Sequence, residues 1–420
     1  MLKALKWFFG LFSVYVHPFE KKVDKFFVSI KSTDNIYSIR VALLKLMRKN
    51  LMIVNVWMEK KYKGYEYLSK KVRKQMYLDA EKIVAKLHEF TALNPVDPAK
   101  MRRALDSKGL KYTSDIEDRL KWLYSIMKFL QPGKYYHYIK TASFGKLLRD
   151  PDKEKLEGDC NQIVTLYIYL YSLKFDINDL EIKLLPGHVC LHFKGIDIEA
   201  TTAIFEKYTE SKTVLPITEI LSTNLLDLSD FREDLQKISE RDLLKSAQLA
   251  YAISSLKQLV TKNLKIAYRN LSVSFLNSNN FESAIFYLKK LGDKKLLLNA
   301  YANAAKYYLS TENFKKAEFF ADKSGIESLK KSVKYNIGVN FYNRKKYDKA
   351  LKIFKDLRDK KMIKACYAQQ FNRVSARVRN VKTLSEAKKH KSDYKRMLKL
   401  ARKMKDSSLE RSIRDTLNRL

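Results

Sequence analysis

A chain of 420 residues with 46% hydrophobic content holds enough apolar material for roughly two to four domains, which excludes global disorder. Eleven glycines and seven prolines are too few for a turn-rich all-β architecture, and three cysteines exclude a disulfide framework and suit a reducing compartment. The net charge of +37 is spread along the chain with no nucleic-acid motif beside it, so it reads as solvated helix faces and argues against nucleic acid as a partner.

Lys3 and Lys6 precede an uncharged apolar run from Trp7 to Val16, and no small-residue cleavage site follows. A run of ten residues cannot span a bilayer as a helix. It is either a buried first helix or an interfacial anchor making peripheral membrane contact through residues 1–16. The expected location is cytoplasmic, or membrane-associated through that segment.

Residues 17–108 carry helical periodicity. Ile36, Ile39, Val41, Leu44, Met47, Leu51, Val54 and Trp57 fall near helical spacing. A second helix runs to Asn94-Pro95, where helix is disfavoured, and a short basic helix ends at Gly109. Ser114-Asp115-Ile116-Glu117 reads as a capping box opening a helix with Leu120, Leu123, Met127 and Leu130 on one face. An aromatic loop, KYYHYIK (134–140), follows Pro132-Gly133.

The stretch from Gly158 to Thr202 is the one mixed α/β island. Asp159 is a good N-cap, which places Cys160 in the first turn of a helix running to Leu173. Unpaired amides and the positive dipole end favour a thiolate there and can serve a developing oxyanion. Residues 180–185, 188–193 and 196–199 alternate as strands, separated by Pro186-Gly187 and Lys194-Gly195 turns. Alternation puts His188, Cys190 and His192 on one face, and across the hairpin Asp197 and Glu199 share a face that can reach them. Cys160, His188, Cys190 and His192 are also the side-chain types that hold zinc. Three of them spaced by two on one strand, however, fan out by about 7 Å each and converge poorly.

A Cys in GDC at a helix start, a GHV strand 28 residues on (188 − 160), and an acid before Thr in IEATT 11 residues later (199 − 188) together resemble the transglutaminase-like superfamily. The resemblance covers about residues 109 to 205. It implies a papain-related fold with a Cys-His-acid triad: Cys160 as nucleophile, His188 as its partner and Glu199 orienting the histidine. The family usually carries Asp in a D-P-T-like stretch where this chain has Glu199-Ala200-Thr201, so Asp197 is the alternative third member. His192 is the alternative partner.

From about Ala267 an internal repeat appears. Leu271, Ser272, Phe275, Phe281 and Ala284 recur as Ala304, Ala305, Tyr308, Phe314 and Ala317, and again as Ile337, Gly338, Phe341, Tyr347 and Ala350. The step is 33 residues (308 − 275 and 341 − 308). This pattern resembles tetratricopeptide repeats, which imply a protein or peptide partner. The basic tail reads as a solvated helix capping the array.

The expected architecture is α+β and mostly helical. Residues 1–108 form a helical region, 109–210 a transglutaminase-like (papain-related) domain, 211–264 a helical connector, 265–363 three tetratricopeptide-like repeats in an α-solenoid, and 364–420 a basic helical tail. The expected activity is cysteine-dependent hydrolysis or acyl transfer at an amide of a protein or peptide docked by the repeats. It calls for no cofactor and no metal. The rival from another class is a catalytically inactive scaffold for protein–protein interaction.

Overall fold

The computed structural model describes residues 13–31, 34–211, 213–227 and 238–420. They are mostly helix with a small antiparallel sheet, and they divide into two units, Met1–Leu271 and Ser272–Leu420.

In the first unit, α1 (Pro18–Ser29), α2 (Ile36–Met58), α3 (Lys70–Leu93), α4 (Pro98–Asp106) and α5 (Glu117–Phe129) precede the sheet. Helix α2 is not one continuous amphipathic helix. Asn50 leaves helical geometry, and its side chain accepts from the Ile53 amide at 3.0 Å, restarting the helix. Every residue from Leu51 to Met58 is buried, as the all-round apolar sequence LMIVNVWM requires. The Ser114 capping box does not form. Residues Ser114–Ile116 make a 3₁₀ turn, and α5 starts at Glu117 without a side-chain cap.

The apolar N-terminal run needs correction. Among the described residues no helix is long and apolar enough to cross a membrane. Residues 1–12 lie outside the described residues, and residues 13–16 are stitched to the body of the unit. Tyr15 packs on Trp57 and donates to Asp24 at 2.7 Å. Buried Arg73 donates to the Val14 carbonyl at 2.7 Å and to Glu20 at 2.8 Å. At residues 13–16, the part of the segment that the structure describes, a free membrane anchor therefore does not stand. The end of that run that the structure describes is held by partly buried, charge-assisted hydrogen bonds.

The aromatic loop holds a short strand, β1 (Tyr136–Tyr138), which pairs in parallel with β2 (Leu156–Gly158) just before α6 (Cys160–Tyr171). Strands β3 (Glu181–Leu185), β4 (His188–Phe193), β5 (Ile196–Glu199), β6 (Ile204–Glu206) and β7 (Val214–Pro216) form an antiparallel sheet in the order β6-β5-β4-β3-β7. Lys194 and Gly195 both have positive φ (48° and 86°), the geometry of a tight two-residue hairpin, and they set His192 opposite Asp197. Helix α6 packs against β4 and is buried nearly all round. Helices α7 (Glu219–Leu226), α8 (Glu240–Ile253) and α9 (Lys257–Asn277) follow.

The second unit is all helix: α10 (Phe281–Leu291), α11 (Lys294–Ser310), α12 (Phe314–Ser324), α13 (Glu327–Asn343), α14 (Tyr347–Asp356), α15 (Lys360–Val378), α16 (Leu384–Lys389), α17 (Lys391–Met404) and α18 (Ser407–Arg419). The 33-residue period is visible in the backbone. Asn279, Glu312 and Lys345 adopt left-handed φ at steps of 33 (312 − 279 and 345 − 312), each two residues before a helix start. Ala284, Ala317 and Ala350 are fully buried where helices approach closely. At one column the sizes compensate. Gly338 faces Phe354, whereas the equivalent positions one repeat earlier hold Ala305 and Ala321. The tail is not a single solvated helix. Tyr367, Phe371, Met397, Leu400 and Ile413 bury a core between α15, α17 and α18.

Candidate active site

The site is assembled where the start of α6 meets β4. Asp159 caps α6, its carboxylate accepting from the Asn161 and Gln162 amides at 2.9 and 3.4 Å, while Gln162 accepts from the Asp159 amide at 3.2 Å. The second and third amides of the helix are thus consumed by its own cap. The amide of Cys160, at the first helical position, has no intrahelical acceptor by construction. The expected set of free amides narrows to that one. Gly158 is needed before it: a Cβ there would sit 3.2 Å from the Gln162 side chain and 3.3 Å from Leu147. Its carbonyl accepts from the buried Tyr136 hydroxyl at 2.8 Å.

The structure brings Cys160, His188 and Glu199 together. His188 Nε2 lies 2.7 Å from Glu199 Oε2, and Cys160 is near enough to the His188 ring to favour its charged form. With Nε2 occupied, Nδ1 is the nitrogen left for the sulfur. The Cys160 contact, followed by the Glu199 contact, raises His188 to about 10, against the burial that opposes its charge. Both neighbours favour the charged form of the ring. Burial pushes the Glu199 carboxyl up, but donors from His188, Thr201 and Tyr208 outweigh it and hold the group below the usual carboxylate range. Tyr208 donates to Glu199 Oε2 at 2.8 Å, and the Thr201 amide donates to Oε1 at 3.1 Å. The accessibility is graded. Glu199 is 5% exposed, Cys160 9%, and the His188 side chain 27%, so the histidine edge is the part open to solvent.

Asp197 and His192, the alternative members, belong to a separate cluster. His192 Nδ1 lies 2.6 Å from Asp197 Oδ1, and His192 Nε2 accepts from the Gly195 amide at 3.2 Å. Both ring nitrogens are used, so His192 has none to offer Cys160. Asp197 also accepts from buried Lys183 at 2.8 Å and from the Tyr208 amide at 2.8 Å. Burial works against the Asp197 charge, but these donors prevail and depress its carboxyl. Cys190, paired opposite Lys183, is fully buried, and burial pushes its thiol up. Among the described residues no group of three or more His, Cys, Asp or Glu is placed to hold a metal ion.

Lys183, Tyr208 and Tyr136 were not singled out from the sequence. Lys183 carried a signal, a charged residue on the inward face of an apolar strand. Tyr208 carried none, because its place follows from the β5–β6 pairing, Asp197 opposite Glu206. No protein-family model matches the chain, and no curated protein matches it.

Proposed function

We propose that the first unit is a cysteine-dependent acyl-transfer site of the transglutaminase-like kind, cleaving or exchanging an amide in a protein or peptide. The observation that carries this is the 2.7 Å bond from His188 Nε2 to Glu199 Oε2, with Cys160 brought beside that ring by the packing of α6 on β4. The thiolate of Cys160 attacks the carbonyl carbon, and its new S–C bond makes a tetrahedral oxyanion facing the Cys160 amide. The C–N bond then breaks as the His188 imidazolium gives its proton to the leaving amine. Water, or a second amine, attacks the thioester and gives a proton back to His188. Release of the acid or new amide restores the thiolate. Glu199 holds the ring orientation and its positive charge throughout.

The repeats supply the docking role in this reading. A cavity of about 640 Å³ between α10, α11 and α12 is lined by Ile285, Tyr301, Phe319 and Phe320 with lysines at its rim, which suits an acidic segment bearing an apolar side chain.

The test uses p-nitrophenyl acetate and iodoacetamide. A burst of one p-nitrophenolate per chain, together with selective alkylation of Cys160 near pH 7 that is lost in His188→Ala, supports the enzyme. The 9% exposure of Cys160 favours a second reading, the inactive scaffold. No burst, with Cys160 no more reactive than in unfolded chain, would establish it.

A further inference from the structure

In the second unit a cavity of about 470 Å³ is walled by α14, α15 and α17, a size within the range of small-molecule sites. Its chemistry is one-sided. Lys345, Lys346 and Lys349 come from the start of α14, Arg373 and Arg377 from α15, and Arg396 from α17. The single acid in the lining, Asp348, has its carboxylate engaged by the Gln370 side chain at 2.8 Å. Of the six cations, Arg377 alone has a carboxylate partner among the described residues, Asp393 at 3.5 Å. Gln370, Arg373, Val374 and Arg377 follow the i, i+3, i+4, i+7 pattern, so they share one face of α15 and point at one space.

The amide end of α14 adds to this. In the two preceding repeats Asn280 and Asn313 cap their helices, accepting from the Ser283 and Lys316 amides at 3.2 and 3.3 Å. Lys346 stands in the equivalent place, makes no side-chain cap, and has no acceptor to offer. Cations thus gather where the neighbouring repeats carry a neutral acceptor, and the equivalent amide, at Lys349, donates to the Lys346 carbonyl at 3.1 Å instead. Like charges gathered this closely repel one another until a counter-anion arrives.

We infer that the cavity between α14, α15 and α17 binds a small, soluble, multiply charged phosphate ligand, an inorganic or ester polyphosphate. Two arginines on one helix face favour phosphate, because each planar fork takes two oxygens at once, while the lysines supply point charge. An acidic peptide would call for more apolar lining than Tyr347 and Val374 provide. The inference is independent of the Cys160 chemistry.

Titration calorimetry of the full chain with sodium tripolyphosphate at about 0.15 M KCl, where distant charges are screened, tests it. The expectation is one site per chain, weakened at least ten-fold in Arg373→Gln/Arg377→Gln. Both arginines are exposed, so the variant keeps its packing, which circular dichroism checks. The control Lys289→Gln/Lys323→Gln removes equal charge from the other cavity and should bind within about two-fold of the parent. Inorganic phosphate should bind at least ten-fold more weakly than tripolyphosphate. Absence of tripolyphosphate binding, or equal weakening in both variants, would overturn the site in favour of the general positive field. A single-stranded oligonucleotide that binds ten-fold more tightly than tripolyphosphate, and is lost in the same arginine variant, would also overturn it by assigning the pocket to a polynucleotide backbone.

Discussion

Replacing Glu199 by Gln probes the candidate triad with the least change of shape. Gln keeps an acceptor for Thr201 but turns an amide donor toward the His188 and Tyr208 donors that Oε2 now accepts. His188 lies at about 10 against an ordinary 6.5. At about 1.36 kcal/mol per pH unit, that gap is on the order of 5 kcal/mol of preference for the charged ring. Glu199 shares this with Cys160, and a ring side chain 27% exposed is screened by water, so its part is about 1–2 kcal/mol. The His188 midpoint should therefore fall by about one pH unit. The sign follows from linkage. A histidine raised in the folded state contributes stability that is complete below 6.5 and lost as pH rises through about 10. Glu199→Gln should thus cost more at pH 7 than at pH 10.5. The assay is an NMR titration with isotope-labelled histidine, with His188→Ala to assign the resonance, alongside the rate of Cys160 alkylation against pH. An unmoved His188 midpoint in Glu199→Gln would refute the charge partnership.

Three further outcomes follow from the packing. Iodoacetamide at pH 7.5 should modify Cys160 alone in the folded protein, since Cys190 and Cys366 are fully buried and burial pushes the Cys366 thiol up to about 11; peptide mapping that finds either of the others labelled first contradicts this. Asp159 is pushed up to about 7, by burial first and then by the Asp227 charge, so the stability it contributes below about pH 4 is lost as pH rises through 7. Asp159→Asn keeps the capping oxygen without the charge and should raise the melting temperature at pH 8, by the equivalent of about 1–2 kcal/mol, with a smaller gain at pH 5.5; an equal gain at both would show that charge is not the cause. A Cβ at Gly338 would meet the Phe354 ring at 2.8 Å, and that ring is fully buried. Gly338→Ala should destabilise the second unit by about 1–3 kcal/mol despite the better helix propensity of Ala. A melting curve no lower than that of the parent would show that the ring can give way, and Phe354→Leu in the same chain should recover part of the loss.

Much of the architecture was legible locally. Period-two alternation marked β3, β4 and β5, and Pro186-Gly187 and Lys194-Gly195 marked their turns, because strand geometry and left-handed turns are set by neighbouring residues. Asp159-Cys160 marked a helix start for the same reason. The 33-residue columns marked the helical hairpins. Less was legible where a local signal had a distant competitor. Ser114 looked like a cap, yet the chain enters α5 through a 3₁₀ turn instead. Asn50 sat inside a helical pattern and broke it by capping Ile53 with its own side chain. The aromatic loop at 134–140 became strand because Leu156–Gly158, from the other side of a long turn, paired with it.

The sequence by itself determined that a cysteine opens a helix, that His188 and His192 share a strand face, and that Glu199 and Asp197 lie across a two-residue hairpin. Only the tertiary structure decided the partnerships. Hairpin register sets His192 directly opposite Asp197, and buried Lys183 takes the other oxygen of that carboxylate. Glu199, one pleat further along, is left facing His188, and the packing of α6 on β4 carries Cys160 to the same ring. The physical reason is range. Caps, turns and alternation are decided within a few residues, whereas a cluster of cysteine, histidine and carboxylate needs side chains whose meeting depends on how separate elements pack.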